Sequence, residues 1–455
     1  MPNLDEIDQL VKDKKSIICV MGLGYVGLPT ALHFAQKGFR VYGFDVDKKK
    51  IDVLQKNQLP FYDVGLEENF QKALATKNIT FHDDPSCIKN CHISLVIVPT
   101  PVNNQKVPDL SYIVNAGEFI GNNYTDNHIV VLESTVYPGV TDEILGPTIE
   151  KYSGKKADQD FHLAYVPERY NPGDEKHTLS KVKRVIGANS PVVGKILHNL
   201  YSSIVEIPDG IVMVHNTKTA EAAKVIENTQ RDLNIALMNE IALICERLGI
   251  DSIEVINAAA TKWNFIKYTP GAGVGGHCLP HDPYYLTSKA KELGYNPEII
   301  LAGRRLNDWM PYHMTELIQD GLNKIEKSVK GSKIIILGAS YKENTGDLRS
   351  APSEIVVKNL LSKGAEIVLI DPYVFGVNEI WGCKLYKTLQ EAPIHNADAI
   401  ALMTFHDVFS DDLLLTIRKQ LGEKVVLIDG RRKIDPSKVN NDYFLVQLGS
   451  GIKQF

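Results

Sequence analysis

The chain has 455 residues, of which 44% are hydrophobic and 23% charged, enough for two or three domains with real cores. A formal net charge of −5 and a pI near 6.2 provide no basic field for nucleic acid or an anionic membrane, so an anionic ligand must be met by local groups. The first 15 residues are charged and lack an apolar core, and apolar runs elsewhere fall short of membrane-spanning length, so a cytoplasmic protein is expected.

Ser16 to Asp45 reads as strand, glycine turn, helix and strand. Within it Gly22, Gly24 and Gly27 form G-x-G-x-x-G: the first glycine allows the tight turn, the second close approach of a pyrophosphate, and the third close helix–strand packing. The helix N-terminus would then face the phosphates. Asp45 ends the next strand, where it should bind a ribose hydroxyl and repel a 2′-phosphate, which favours NAD over NADP. Lys48, Lys49 and Lys50 read as a solvated first helical turn, although three cations beside Asp45 keep NADP in view. Cys19 and Cys245 read as core residues, since free cysteine packs as a small hydrophobe. Cys87, Cys91 and His92 have metal-ligand chemistry, but no second ligand pair follows, so no metal is expected. Apolar strands at Ser94 to Val98 and Ile129 to Leu132 extend an open, mainly parallel sheet with helical crossovers.

Thr219 to Leu248 has helical periodicity without internal glycine or proline, giving a helix roughly 45 Å long. It is too polar to cross a membrane, and reads either as a dimer surface or as domain core. Lys224 and Asn228, four apart, share one face of it; by themselves they read as solvated helix residues. Residues Gly273 to Leu286 then place Cys278 in a glycine-rich loop. An aldehyde cannot give up a second hydride until a nucleophile has added to its carbonyl, and a cysteine suits that role. Asp282-Pro283 reads as an N-cap and first helical position, so the thiol would sit near a helix start, a field that favours thiolate. Lys333 to Asp371 repeats the strand, turn, helix and strand, but with Gly338-Ala-Ser-Tyr-Lys in place of the fingerprint, so another nucleotide rather than a second NAD is expected. Further strands at Ala399 to Leu402 and Val425 to Ile428 lead into Asp429-Gly430-Arg431-Arg432.

Taken together, Gly-Leu-Gly-Tyr-Val-Gly-Leu-Pro from Gly22, Val-Pro-Thr-Pro from Val98, Ser-Thr-Val from Ser134, Pro-Glu-Arg from Pro167, Glu-Ala-Ala-Lys-Val-Ile-Glu-Asn from Glu221 and the Cys278 loop resemble the UDP-glucose/GDP-mannose dehydrogenase family over almost the whole chain. The resemblance implies oxidation of the C6 alcohol of a nucleotide sugar to a carboxylate with two NAD, through an aldehyde and a cysteine thioester. It implies an α/β fold of two Rossmann-like, doubly wound parallel-sheet domains joined by a central helical domain. The expected division is 1–205 for NAD, 206–310 for the helical domain carrying Cys278, and 311–455 for the UDP-sugar. It further implies roles: Cys278 as nucleophile, Lys224 and Asn228 as oxyanion donors, and Asp282 as a partner in proton transfer as well as, or instead of, a cap. Glu168 would be general base for thioester hydrolysis, and Thr135 would place the water.

By the same resemblance Gly22, Gly24, Tyr25, Val26, Gly27, Asp45, Pro99, Thr100 and Thr135 would line the cofactor. Arg169, Lys224, Asn228, Gly275, Arg305, Lys342 and Arg431 would line the substrate, with Arg304, Asn307 and Arg349 as further phosphate or sugar candidates. Pro172 stands where UDP-glucose enzymes commonly carry a second acid, and His281 where they carry lysine. The variants Pro-Glu-Arg-Tyr-Asn-Pro-Gly-Asp from Pro167 and Glu-Asn-Thr-Gln-Arg-Asp-Leu-Asn from Glu227 resemble those of enzymes acting on a UDP-N-acetylhexosamine, of gluco, galacto or manno form, while the second apolar face of the long helix points to a homodimer or higher homo-oligomer. UDP-glucose 6-dehydrogenase, a two-electron dehydrogenase and a non-catalytic nucleotide-sugar binding protein are the rival readings.

Overall fold

The computed structural model describes residues 2–61, 65–103, 105–169, 178–439 and 443–452. It divides into two compact units: residues 1–227 with 284–295, and residues 228–283 with 296–455.

The first unit is built on eight strands: β1 Ile17–Met21, β2 Arg40–Phe44, β3 Ile79–His82, β4 Ile93–Val96, β5 Ile129–Leu132, β6 His162–Tyr165, β7 Arg184–Ala188 and β8 Ile211–Val214. Their order is β3-β2-β1-β4-β5-β6-β7-β8, parallel throughout except for β6 with β7. Central strands such as Ile-Val-Val-Leu of β5 are apolar at every position because helices cover both faces of a parallel sheet. The period of two divides β1 between the layers: Ile18 and Val20 enter one core cluster with Phe34 and Leu32, Cys19 and Met21 the other with Cys87 and Cys91. Beside them His92 accepts the Ile17 N–H through Nδ1 at 3.0 Å. Since β1 pairs with both β2 and β4, the chain reverses its winding there, and the crevice beyond the carboxyl ends of β1 and β4 is where such sheets bind ligands.

The second unit repeats the plan with β9 Lys333–Leu337, β10 Glu366–Ile370, β11 Glu379–Ile380, β12 Cys383–Tyr386, β13 Ala399–Leu402, β14 Val426–Asp429, β15 Phe444–Gln447 and β16 Gly451–Ile452. The order is β11-β12-β10-β9-β13-β14-β15-β16, with antiparallel pairs only at the two edges. On it lies the helix Glu298–Lys324, whose Met310, Met314, Ile318 and Leu322 recur every fourth residue and share a core with Ile334 and Ile336. The long helix spans Thr217–Leu248, 32 residues and about 48 Å, starting two residues before the sequence expectation. Among the described residues no helix is long and apolar enough to cross a membrane. The fold is thus two Rossmann-like sheets with a helical segment between them in sequence.

Candidate active site

In the first unit the chain leaves β1 at Gly22, whose φ of +94° suits glycine and whose Cβ would lie 2.5 Å from the Ile97 carbonyl oxygen. A Cβ on Gly27 would stand 1.8 Å from the Gly22 carbonyl oxygen, so the helix Gly27–Gln36 can close on the turn only without a side chain there. A Cβ on Gly24 would meet nothing within 4 Å, leaving open backbone where a pyrophosphate approaches. Tyr25 next to it is exposed and rests on Phe61, and Val26 leads into the helix. Asp45, buried at the end of β2, accepts from Leu23 N–H at 2.8 Å, Asp47 N–H at 2.9 Å and Lys50 Nζ at 2.6 Å. Lys48 and Lys49 are solvated as expected, but Lys50 is not: it folds back to pair with Asp45. Open backbone at a helix start and a fixed carboxylate after the second strand fit a dinucleotide.

Two loops at the carboxyl ends of β4 and β5 brace each other. Ser134 Oγ donates to the Val98 carbonyl at 2.7 Å, and Thr100 Oγ1 to the Thr135 carbonyl at 2.9 Å, while Pro99 between them is exposed. The buried Tyr285 donates its hydroxyl to the Thr100 carbonyl. Glu221, fully buried on the long helix, accepts from Gly139 N–H at 2.5 Å and from Thr141 N–H and Oγ1 at 2.8 and 2.7 Å. Burial pushes its carboxyl up against the pull of those donors. Glu221 thus ties the helix to the loop after β5; its place one turn before Lys224 was the available sequence signal. Lys224 itself is buried, not solvated.

Glu168 follows β6. Its Oε1 accepts the Arg169 N–H at 2.7 Å, and its Oε2 lies 2.7 Å from Nη1 of Arg184 on β7, a residue the sequence did not single out. Arg169 donates to the Lys183 carbonyl at 3.2 Å and pairs with Glu227. Pro172 and its neighbours from Tyr170 to His177 lie outside the described residues.

In the second unit, Cys278 alone of the six cysteines, all among the described residues, is exposed. Its loop lies on Tyr341: a Cβ on Gly275 would come within 2.4 Å of the Tyr341 Cβ, and one on Gly276 within 2.8 Å of its Cζ. The Arg349 carbonyl accepts the Gly276 N–H at 2.8 Å, while the Arg349 guanidinium is paired with Asp347. The Cys278 carbonyl accepts from His281 N–H at 3.0 Å and Asp282 N–H at 2.8 Å, closing the turn from which the helix Asp282–Glu292 rises. That helix begins at Asp282, so the acid lies in its first turn and not at the cap position that the sequence suggested. Asp282 is buried and accepts from Asn228 Nδ2 on the long helix, so Asn228 is no solvated residue either.

The basic candidates part company. Arg304, 1% exposed, meets Asp232 Oδ1 at 2.5 Å, and Asn307 donates to the same oxygen at 2.8 Å and accepts from Asn239 at 2.9 Å. Both therefore belong to a buried joint between two helices. Arg305, the next residue, is exposed. Lys342 is half-buried after the Gly338 turn, and Arg431 follows β14 with its guanidinium 3.6 Å from Glu343. Asp371, the counterpart of Asp45, accepts from Ala339 and Ser340 N–H at 2.9 Å each and lies 3.1 Å from His406 Nε2.

Known proteins share this organisation. Three models of the UDP-glucose/GDP-mannose dehydrogenase family match: the NAD binding domain over residues 16–205, the central domain over 218–309 and the UDP binding domain over 335–436. A UDP-N-acetyl-D-glucosamine 6-dehydrogenase of Pseudomonas aeruginosa is 40% identical over 429 residues, covering 94% of this chain and 99% of the relative. Its namesake in Salmonella typhi is 44% identical over 412 residues, covering 90% and 95%. The solved structure of a UDP-D-ManNAc dehydrogenase from Pyrococcus horikoshii superposes with a TM-score of 0.87 at 32% identity, covering 96% of this chain and 99% of that one. With most of its length matched in this way, the chain belongs to the UDP-glucose/GDP-mannose dehydrogenase family and is an NAD-dependent oxidoreductase of nucleotide sugars.

Proposed function

We propose that the chain oxidises the C6 alcohol of a UDP-N-acetylhexosamine to the uronic acid through a thioester on Cys278. The observation that carries this reading is the exposed Cys278 at the turn whose first helical residue, Asp282, is bonded to Asn228. The gluco form is the first choice, because the relatives at 40% and 44% identity carry that name and those named for mannosamine are 31–34% identical. The proposed domain roles are NAD at 1–205, the Cys278 helical segment at 206–310 and UDP-sugar at 311–455, in a cytoplasmic homo-oligomer.

NAD, when bound, supplies the hydride acceptor for each of two successive oxidations and is exchanged between them. Gly22, Gly24, Gly27 and Asp45 would hold it, with Tyr25, Val26, Pro99, Thr100 and Thr135 around it. The alcohol loses its proton to the Asp282 side of the site as hydride departs, giving the aldehyde. Cys278 thiolate then adds to the aldehyde carbon, and the Lys224 ammonium and Asn228 amide donate to the oxyanion. Loss of the second hydride leaves a thioester. Glu168 takes a proton from a water placed by Thr135, hydroxide adds to the acyl carbon, and the thiolate leaves as the tetrahedral oxyanion collapses to the carboxylic acid, which gives its remaining proton to solvent. Arg169, Gly275, Arg305, Lys342 and Arg431 are the proposed contacts to sugar and diphosphate.

The test is NADH release from UDP-glucose and the UDP-N-acetylhexosamines, with product mass. Two NADH per sugar are expected, with an N-acetylhexosamine turned over best. In Cys278→Ser uronate formation should nearly stop, because a hydroxyl is a far weaker nucleophile than a thiolate at neutral pH. Uronate made at the parental rate by that variant would refute covalent catalysis at Cys278.

A further inference from the structure

Glu168 is held in place from beneath. Arg184, the first residue of β7, has no exposed side-chain surface and puts Nη1 2.7 Å from Glu168 Oε2. The same nitrogen lies 4.0 Å from Oε2 of Glu133, equally buried, which directly precedes the Ser134-Thr135 loop. Tyr201, buried on the helix Pro191–Ser202, donates its hydroxyl to Glu133 Oε1, and its ring lies 5.9 Å from the guanidinium. One cation that cannot lose its proton thus serves two carboxylates away from water. A buried charge of that kind is stable only when paired, so its geometry constrains both partners.

We propose that Arg184 is the positioning residue of Glu168, fixing the orientation of the carboxylate that receives the water proton, with Glu133 as the second acid sharing its guanidinium. This rests on the reading of Glu168 as the base of thioester hydrolysis. Arg184 touches neither water nor acyl carbon in this role; it acts through Glu168. Among the described residues, the charged and titratable groups facing Glu133 and Arg184 are Glu168, Tyr201 and, on the helix Gly27–Gln36, His33, which burial holds towards its neutral form. Burial pushes the Glu133 carboxyl up to about 7, against Arg184 and with the charge of Glu168. When ionised, Glu133 competes with Glu168 for the guanidinium. Removing that competitor leaves Arg184 to Glu168 alone.

The full chain is mixed with NAD and the UDP-N-acetylhexosamine it turns over best, then quenched. Intact-protein mass reads the sugar acyl group on Cys278, and its decay gives the hydrolysis rate across pH. Glu168→Gln and Arg184→Met should slow hydrolysis by about 100-fold and accumulate the acyl-enzyme. Arg184→Lys should recover an intermediate rate, and Glu133→Gln should move the acid limb of hydrolysis to lower pH, which a merely structural role would not do. Should Arg184→Met fail to fold, the other two variants carry the test. A stalled Glu168→Gln beside parental rates and pH profiles in Arg184→Lys and Glu133→Gln overturns the proposal alone. A Glu168→Gln that hydrolyses at the parental rate overturns the role of Glu168, and the proposal with it.

Discussion

Asp45 and Lys50 set the cofactor question at the level of single side chains. An isolated aspartate after the second strand would repel a 2′-phosphate, but the ammonium of Lys50 lies 2.6 Å from its Oδ2 and offsets part of that charge. Removing the cation should therefore sharpen the preference for NAD. A partly buried pair of this kind is worth about 1 kcal/mol, so Lys50→Met should raise the NAD over NADP ratio of kcat/KM by roughly fivefold. Asp45→Asn should lower it. Steady-state kinetics with both cofactors decide the matter, and an unchanged ratio in both variants would remove Asp45 from cofactor selection.

Between elements, polar contacts join the long helix to the helix Glu298–Lys324: Arg304 and Asn307 on Asp232, Asn239 on Asn307, and His313 Nε2 at 2.9 Å from Glu246 Oε2. Glu246 also accepts the Gly449 N–H at 2.7 Å, which brings the end of the sheet into the joint. Burial works to lower the proton affinity of His313, but Glu246 and Glu316 outweigh it, and the net shift is upward. A histidine raised on folding contributes stability that is fully present below its unfolded pKa of about 6.5 and is lost as pH rises through the folded value. As pH rises from 6 to 8 the second unit should lose stability through this pair, and His313→Gln should not. Tryptophan fluorescence during urea unfolding is the measurement, because Trp263, Trp309 and Trp381 all lie in that unit and Trp309 stacks on His313. Equal pH dependence in parent and variant would remove His313 from the account.

Across the molecule the two units respond to acid through different groups. In the first unit burial lowers His33, His92, His128 and His162, and brings His128 down to about 4, between Thr125 Oγ1 at 3.0 Å and Ser94 Oγ at 2.8 Å. The unfolded chain binds more protons between about 4 and 6.5, so this stability is complete above pH 6.5 and declines towards pH 4. Glu133 works the other way, since a carboxyl raised on folding loses its contribution as pH rises from about 4.5 through about 7. The parent must therefore be compared with His128→Gln. At about 1.4 kcal/mol per tenfold change in proton affinity, the stability of the parent relative to that variant should fall by up to ~3 kcal/mol from pH 7 to pH 4. Urea unfolding followed by far-UV circular dichroism measures the difference; a constant gap would show that His128 is not the acid-sensitive group.

What the sequence determined by itself is local. Glycines at 22, 24 and 27, strands apolar at every position, and a 30-residue stretch at helical period each restrict the backbone over a few residues, so the central strands of both sheets and the long helix were legible, whereas β3, β6 to β8, β11, β12, β15 and β16 were not placed. The Cys278 loop was legible for the same reason, as a glycine-rich stretch; its glycines let it lie on Tyr341 and its cysteine is exposed. Polar partners across the fold were not. Periodicity made Lys224 and Asn228 solvated, yet one is buried and the other meets Asp282, 54 residues away; Arg304 and Asn307 read as ligand contacts, yet they close a helix joint. Arg184 carried no sequence signal. A hydrophobic pattern states which face is covered, whereas the cost of burying a charge only requires that some partner be found. Which carboxylate meets which cation was decided by tertiary packing, since only the folded chain brings residues from separate strands and helices within hydrogen-bond reach.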